Sequence, residues 1–365
     1  MLRGATVQTG TTTTVNMQMQ IGTSKDVVTV EGATANISYD SYAVQGVVSR
    51  KQIQDLPLNG RSFMALAQLE PGVIVTAANP AQFNAQFNVS ILGGPASHTA
   101  VSVDGANVRN PVEGGSGQNF SQEIVQEFQL SSVNFDLSTG LTAFGAINVV
   151  TRSGGNSLHG SGFLFFRDQN ISAYPSLNRN PLTNDPDFAR KQAGFWLGGA
   201  IKKDKLFFFG NFEYTNQAGV YVVQADLPSL AFFNAVAPAP YRGKQFGMKM
   251  DYHVNEKHNA FLRYSHDGNT NSGPFGTSVP PSNFVSNSNW VDQYTLGITS
   301  VLKPTLVTDL RFSYWYWQNR NRPAACPGCP GAGGPEIFFA GVSSTNIQLA
   351  TTLIRRKAAT SAVTR

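Results

Sequence analysis

Histidines, cysteines and clustered carboxylates are the raw material of catalytic and metal sites, and in this sequence they are sparse. His98, His159, His253, His258 and His266 stand in no metal-binding spacing. No Gly-x-Ser-x-Gly elbow and no phosphate-cradling glycine loop occurs. The cysteines, Cys326 and Cys329, form Cys-Pro-Gly-Cys within a Pro/Gly-rich stretch. A zinc site would want a second pair or histidines after it. A thioredoxin-like pair should open a helix, whereas Pro327-Gly328 and Pro330-Gly331 make a turn. We read the pair as a small disulfide pinning a loop in an oxidising compartment. No catalytic residue, no cofactor and no metal is expected, which leaves binding as the chemistry of the chain.

Composition narrows the kind of binding. Charged residues make up 13% of the 365, while Phe numbers 25 and Gly 35. That balance suits long alternating β structure better than a charge-rich cytosolic enzyme. The net charge of +5 is spread over scattered Lys and Arg, without the basic run of a nucleic-acid reader. No stretch approaches the roughly 18 apolar residues of a transmembrane helix. Membrane crossing is then left to strands, whose alternation scores weakly in hydropathy. No apolar segment follows Met1-Leu2-Arg3-Gly4, so the natural N-terminus is expected to lie upstream.

The elements that must position any site divide at Phe144 to Arg167. Residues 1–36 read as the end of a β-rich module, with Val15, Met17, Met19 and Ile21 alternating along one face. Residues 37–152 read as a compact α+β unit. Ser49-Arg50-Lys51-Gln52 is a capping box for a short helix ending at Leu56-Pro57. A helix is expected over Arg61 to Leu69 and another near Ser121. Strands are expected at Val89 to Leu92, Ala100 to Val103, Glu127 to Ser131 and Ile147 to Thr151. Asp104-Gly105 reads as a turn, and the loops Asn79 to Asn88 and Ala106 to Asn119 are long and polar.

From residue 158 the period is two. Leu206, Phe208, Phe212 and Tyr214 share one face against Asn211, Glu213 and Thr215. Phe246, Met248, Met250 and Tyr252 oppose Gln245, Lys249, Asp251 and His253; Leu310, Phe312 and Tyr314 oppose Asp309, Arg311 and Ser313. Glu213, Lys249, Asp251 and Arg311 are expected to pair with the preceding unit or with one another. With Leu158 to Asp168, Ala193 to Ile201, Asn259 to His266 and Trp290 to Leu302, this makes about seven strands, several near the length that crosses a bilayer. Short turns at 202–204, 255–257 and 303–305 alternate with long loops, the rhythm of an outer-membrane barrel. The expected fold is an α+β plug domain over 37–152, then an incomplete antiparallel transmembrane β-barrel over 153–322, an open curved sheet. Residues 323–365 are expected to be a loop and a truncated, disordered tail.

Particular stretches carry a family likeness. Asp55-Leu56-Pro57-Leu58-Asn59-Gly60-Arg61-Ser62-Phe63, continuing to Leu69-Glu70-Pro71-Gly72-Val73, is similar to a plug start. Val103-Asp104-Gly105 and Gly145 through Gly154 resemble later plug strands. His159-Gly160-Ser161 resembles the beginning of a first barrel strand, and Lys203 through Phe209 a periplasmic turn with the strand after it. Together they resemble the TonB-dependent outer-membrane receptors, in the Oar-like group with a carboxypeptidase-regulatory-like N-terminal domain. The chain departs from that family in lacking a complete regulatory-like domain and in stopping far short of its roughly twenty-two strands.

The resemblance implies uptake through a plugged barrel in the Gram-negative outer membrane, with the plug side facing the periplasm. The implied partners are TonB, outer-membrane lipid and an unidentified small ligand or oligomer: an oligosaccharide, a peptide or a metal chelate. Asp26, Val27, Val28, Thr29 and Val30 form the segment expected to add as a strand to TonB, since strand addition needs mainly main-chain hydrogen bonds. Phe83, Gln86 and Phe87 in one plug loop, with Asn107, Arg109 and Asn110 in the other, are the ligand-binding candidates, set against a role in loop solvation or packing. The other functional class is a surface-adhesion or matrix-scaffold protein on the same barrel, without active transport.

Overall fold

The structure is a computed structural model that describes residues 44–56, 58–77, 87–110, 114–133, 142–172, 187–223, 235–274, 284–303, 305–324 and 354–364. The candidate segment Asp26 to Val30, the loop residues Phe83 and Gln86, and Cys326 with Cys329 lie outside the described residues.

The first unit is built on a mixed five-stranded sheet. Its strands are β1 (Val44–Ser49), β4 (Ala100–Val103), β5 (Ala106–Asn107), β6 (Val125–Val133) and β7 (Ala146–Thr151), in the order β1-β6-β7-β4-β5. Only β4 and β7 run parallel among these pairings. A separate ribbon pairs β2 (Val73–Ala77) with β3 (Phe87–Ile91). The short helix α1 (Arg50–Asp55) starts where expected: the Ser49 amide donates to Gln52 Oε1 at 2.9 Å. It stops ahead of Pro57, as proline geometry requires.

The expected helix over Arg61 to Leu69 is instead a pair of 3₁₀ segments, Asn59–Arg61 and Phe63–Leu69. The spacing of the apolar residues explains this. Phe63, Met64, Leu66 and Ala67 are all buried, so the repeat is three residues, and a 3₁₀ helix stacks i over i+3. Around them Ile53, Phe128, Leu130 and Ile147 complete a core in which Phe63 meets Phe120 edge-on at 5.6 Å.

The second unit is one antiparallel sheet of eight strands: β8 (His159–Asp168), β9 (Ala189–Lys202), β10 (Leu206–Ala218), β13 (Tyr241–Asn255), β14 (His258–Pro274), β15 (Phe284–Lys303), β16 (Leu306–Pro323) and β17 (Ile354–Thr364). A ribbon of β11 (Val220–Val223) and β12 (Ala235–Pro238) sits in the long connection between β10 and β13. Seven strands answer to the alternating segments. The eighth, β17, corrects the expectation of a disordered tail, since it pairs along β16 from Asn321↔Ile354 to Arg311↔Thr364. Strand addition to an edge uses backbone groups, so it does not need the aromatic alternation that the tail lacks.

The two faces of this sheet differ in kind. On β15, Asn287, Val291, Gln293 and Thr295 are buried, whereas Trp290, Tyr294, Leu296 and Ile298 on the opposite face are exposed. The buried face is turned to the five-stranded unit. The outer face carries a band of exposed apolar side chains that includes Phe246, Met248, Leu262 and Phe312. No helix among the described residues is long and apolar enough to cross a membrane.

Candidate functional site

The site is the seam where the first unit meets the inner face of the eight strands. Its centre is Asp104. The Asp104-Gly105 pair closes the β4–β5 hairpin with both residues in the left-handed region, φ 49° and 76°, as a two-residue turn of this hand demands. The turn points the carboxylate at β7 and the wall. Thr151 donates to it from its amide (2.9 Å) and hydroxyl (2.6 Å). Arg263 on β14 approaches at 3.0 Å and Lys249 on β13 at 3.8 Å. Arg263 also donates to the Val103 carbonyl at 3.0 Å and to Gln293 Oε1 at 2.8 Å, and Lys249 donates to Thr151 Oγ1 at 3.2 Å. Burial by itself would push the Asp104 carboxyl up; Lys249, Arg263 and the Thr151 hydrogen bonds outweigh it and hold the group below its ordinary value.

A second cluster gathers around Glu123, in the short turn before β6. Arg50 and Arg61 reach its two oxygens at 2.8 Å and 2.7 Å, with Arg152 at 3.9 Å. Burial would raise the Glu123 carboxyl, but the Arg61 and Arg50 contacts carry it below its usual range. Burial and the neighbouring Arg50 lower Arg152 to about 10, which leaves it cationic at neutral pH. The same arginines clamp the wall. Arg152 lies 3.6 Å over the Trp196 ring and Arg61 4.2 Å over Phe163, a favourable cation–π geometry. Ser121 donates to Glu213 at 2.5 Å, and Gln192 to the Gly60 carbonyl at 3.3 Å. Arg61, Asp104, Thr151 and Arg152, from the stretches that carry the family likeness, thus all lie in this seam.

Toward the long-loop end the seam changes from ionic to amide and indole. Gln118 donates to Ser265 at 3.1 Å, the Asn119 amide to Asp267 at 2.8 Å, and Gln293 to the Asn107 carbonyl at 3.1 Å. On the wall, Asn287 and Asn319 exchange amide hydrogen bonds of 3.0 and 3.2 Å, and Trp317 donates to Asn289 at 2.7 Å. Trp315 stacks on Trp317 with centroids 6.3 Å apart and lies close over Gly117. Gln118 Oε1, Asn289 Nδ2 and Trp315 Nε1 are buried without a hydrogen-bond partner among the described residues. Amide and indole groups of this kind suit a neutral polar ligand.

The expected ligand residues fall unevenly here. Asn107 is exposed, with its side-chain oxygen taken by the Arg109 amide at 2.8 Å. Arg109 donates to the Ser97 carbonyl at 2.7 Å, Asn110 is buried, and Phe87 packs against the core. Glu213 and Lys249 bond across the seam, Asp251 stands 3.9 Å from Lys249, and Arg311 pairs with Asp309 at 2.8 Å. Arg263, Asp267, Gln118 and Trp315 were missed. Their signal was faint: charges four residues apart on β14, and two tryptophans on the polar face of β16. Among the described residues, no group of His, Cys, Asp or Glu is arranged to hold a metal ion.

An outer face of exposed apolar residues, an inner face of buried polar ones and short turns alternating with long loops define a membrane-type β-sheet. The chain belongs to the outer membrane beta barrel domain family, which matches residues 150–237 and 224–362. This places it in the outer membrane. It is 31% identical over 215 residues to the TonB-dependent transporter Oar of Myxococcus xanthus, covering 54% of this chain and 19% of that protein. Among solved structures it resembles the outer membrane transporter YddB of Escherichia coli, with a TM-score of 0.58 and 12% identity over 76% of this chain and 39% of the other. It also resembles the siderophore receptor PirA of Acinetobacter baumannii, with a TM-score of 0.56 and 17% identity over 86% of this chain and 43% of the other. At these identities the structural likeness is one of fold. The chain spans about a fifth of the length of the curated relative it matches.

Proposed function

We propose that the chain forms the gated part of an outer-membrane receptor that takes up a small ligand under TonB coupling. In this reading the five-stranded unit is the plug, and the eight strands are the first part of the barrel wall around it. The observation that carries the reading is the buried ionic seam. Asp104 faces Arg263 and Lys249 across the two units and Glu213 faces Arg61, while Glu123 gathers Arg50, Arg61 and Arg152 on the near side, a charged union that can be parted and remade. Tension applied N-terminal to β1 would act on this seam, and Asp26 to Val30 is the segment proposed to join TonB by strand addition. The periplasm is assigned to the short-turn side.

The ligand is proposed to meet the amide and indole surface of Gln118, Asn289, Trp315 and Trp317, together with Asn107, Arg109 and Asn110, the residues Phe83 and Gln86, and Phe87 at the start of β3. That chemistry favours an oligosaccharide or peptide over a metal chelate, whose charge would ask for more cations. Cys326 and Cys329 are proposed to close a disulfide in the loop beyond β16. The test is accumulation of labelled oligosaccharides, peptides and iron chelates by cells carrying the full-length receptor, with and without TonB. Accumulation that disappears without TonB supports the reading. Accumulation indifferent to TonB, with cell attachment lost when the gene is removed, would replace it with the adhesion role.

A further inference from the structure

The outer face holds a feature that neither the seam nor uptake uses. Its register rows run from apolar to cationic toward the long-loop end. One row aligns Phe208, Met250, Leu262, Leu296 and Phe312, and the next contains Tyr264, Tyr294 and Tyr314. Two rows further on, Tyr214, Lys244, Gly268, Trp290 and Gln318 lie side by side; beyond them come Asn216, Arg242, Thr270, Ser288 and Arg320. A cavity of about 570 Å³ opens here, lined by Arg242, Lys244, His266, Trp290 and Arg320. Gly268 makes the hollow: a Cβ there would stand 2.8 Å from His266 Nε2.

The charges of the hollow are unspent. Arg242, Lys244 and Arg320 have no ion-pair partner among the described residues. The nearby carboxylate, Asp292, is fully engaged by the Tyr264 hydroxyl at 2.7 Å, His266 Nδ1 at 2.8 Å and the Trp290 indole at 2.6 Å. It therefore anchors the floor and forms no ion pair with Arg242, Lys244 or Arg320 among the described residues. With Nδ1 committed to Asp292, His266 turns Nε2 toward the space over Gly268.

We propose that this hollow binds the anionic phosphate of a membrane lipid headgroup, gripped by Arg242, Lys244 and Arg320 above the tyrosine row. The inference rests on the outer face being the lipid-facing one. A lipid fits better than free phosphate because the hollow continues directly into the apolar band, where Phe246 and Tyr264 would receive the acyl chains. Trp290 sits at the boundary, where amphipathic rings belong. Basic clusters at such boundaries hold lipid phosphates, and each cation removed is expected to weaken retention about fivefold.

The test uses the full-length receptor in phosphatidylcholine nanodiscs containing a minor share of phosphatidic acid, with retained lipid counted by native mass spectrometry after a detergent wash. Wild type should keep phosphatidic acid. Arg242→Gln/Lys244→Gln/Arg320→Gln should lose it, and so should Gly268→Leu, which fills the hollow and leaves every charge in place. Lys244→Gln alone, at an exposed position, should show the single-cation loss if the triple variant does not fold. Retention unchanged in any of these variants overturns the proposal, as does equal displacement by inorganic phosphate. A receptor that fails to enter nanodiscs refutes the lipid-facing reading itself, whereas normal insertion without retained phosphatidic acid refutes only this site.

Discussion

Removing the Asp104 carboxylate should be among the most costly single truncations in the seam. In Asp104→Ala, Arg263, which is 3% exposed, keeps its charge and its bonds to Val103, Gln293 and Thr295 but loses its counter-ion. Lys249 falls back on Asp251 and Thr151. Breaking a buried pair by deleting one partner costs about 3–5 kcal/mol, because the surviving charge is stranded. Arg263→Met should cost a similar amount through the acceptors it abandons. The double variant strands neither charge, so it should fall short of the sum by about 2 kcal/mol. Urea unfolding of the full-length protein in detergent, followed by tryptophan fluorescence, measures all three. The pH dependence supplies an independent check. Asp104 has a folded pKa below its unfolded one, so its contribution is complete above the unfolded value and fades as the pH falls through the folded one. Wild type should lose this increment only below about pH 4, and Asp104→Ala should show a smaller acid loss, reduced to what Glu123 and other groups contribute. Additive single variants, or a cost for Asp104→Ala under about 1 kcal/mol, would refute the ionic account of the seam.

Phe246→Arg and Phe312→Arg, on the outer face, should each cost about 2–4 kcal/mol in the bilayer-folded protein, against well under half of that for Gln245→Arg; equal penalties on refolding titration would remove the lipid-facing assignment. Gly145→Ala should destabilise the first unit by about 2–3 kcal/mol, since Gly145 has φ 113° and its new Cβ would press on the Ser131 carbonyl; thermal melting that leaves it neutral would show that the β6–β7 crossing is looser than described. Val28→Pro should abolish binding of a peptide spanning residues 24–32 to purified TonB C-terminal domain, because proline removes a main-chain donor. Calorimetry giving equal affinities would make that segment an ordinary strand.

The fold was legible where a single face is apolar. Phe246, Met248 and Phe312 alternate strictly, and the strands follow them. The Asp104-Gly105 turn and the Ser49 helix start were also readable, because their chemistry is local. The seam was legible only in part. Glu213 and Lys249 could be expected to pair with the first unit, but Arg263 and Asp267 look like solvated residues on half-exposed strands, and their burial depends on partners more than a hundred residues away in sequence, Asp104 and Asn119. The 3₁₀ turn at Phe63 hid behind a composition that suits any helix, and β17 behind a segment without aromatic alternation.

Because Glu213, Lys249, Arg263 and Asp267 are polar, parting the two units would uncover surface that water solvates well. Polar surface lowers the heat capacity on exposure by about 0.26 cal/mol/K per Å², whereas apolar surface raises it by about 0.45. An apolar plug seat would grip more weakly in the cold and resist wetting once opened. A seat lined with ions and amides changes its hold little with temperature, and water can take over each of its hydrogen bonds as it yields. The opened seam would then already be an aqueous path.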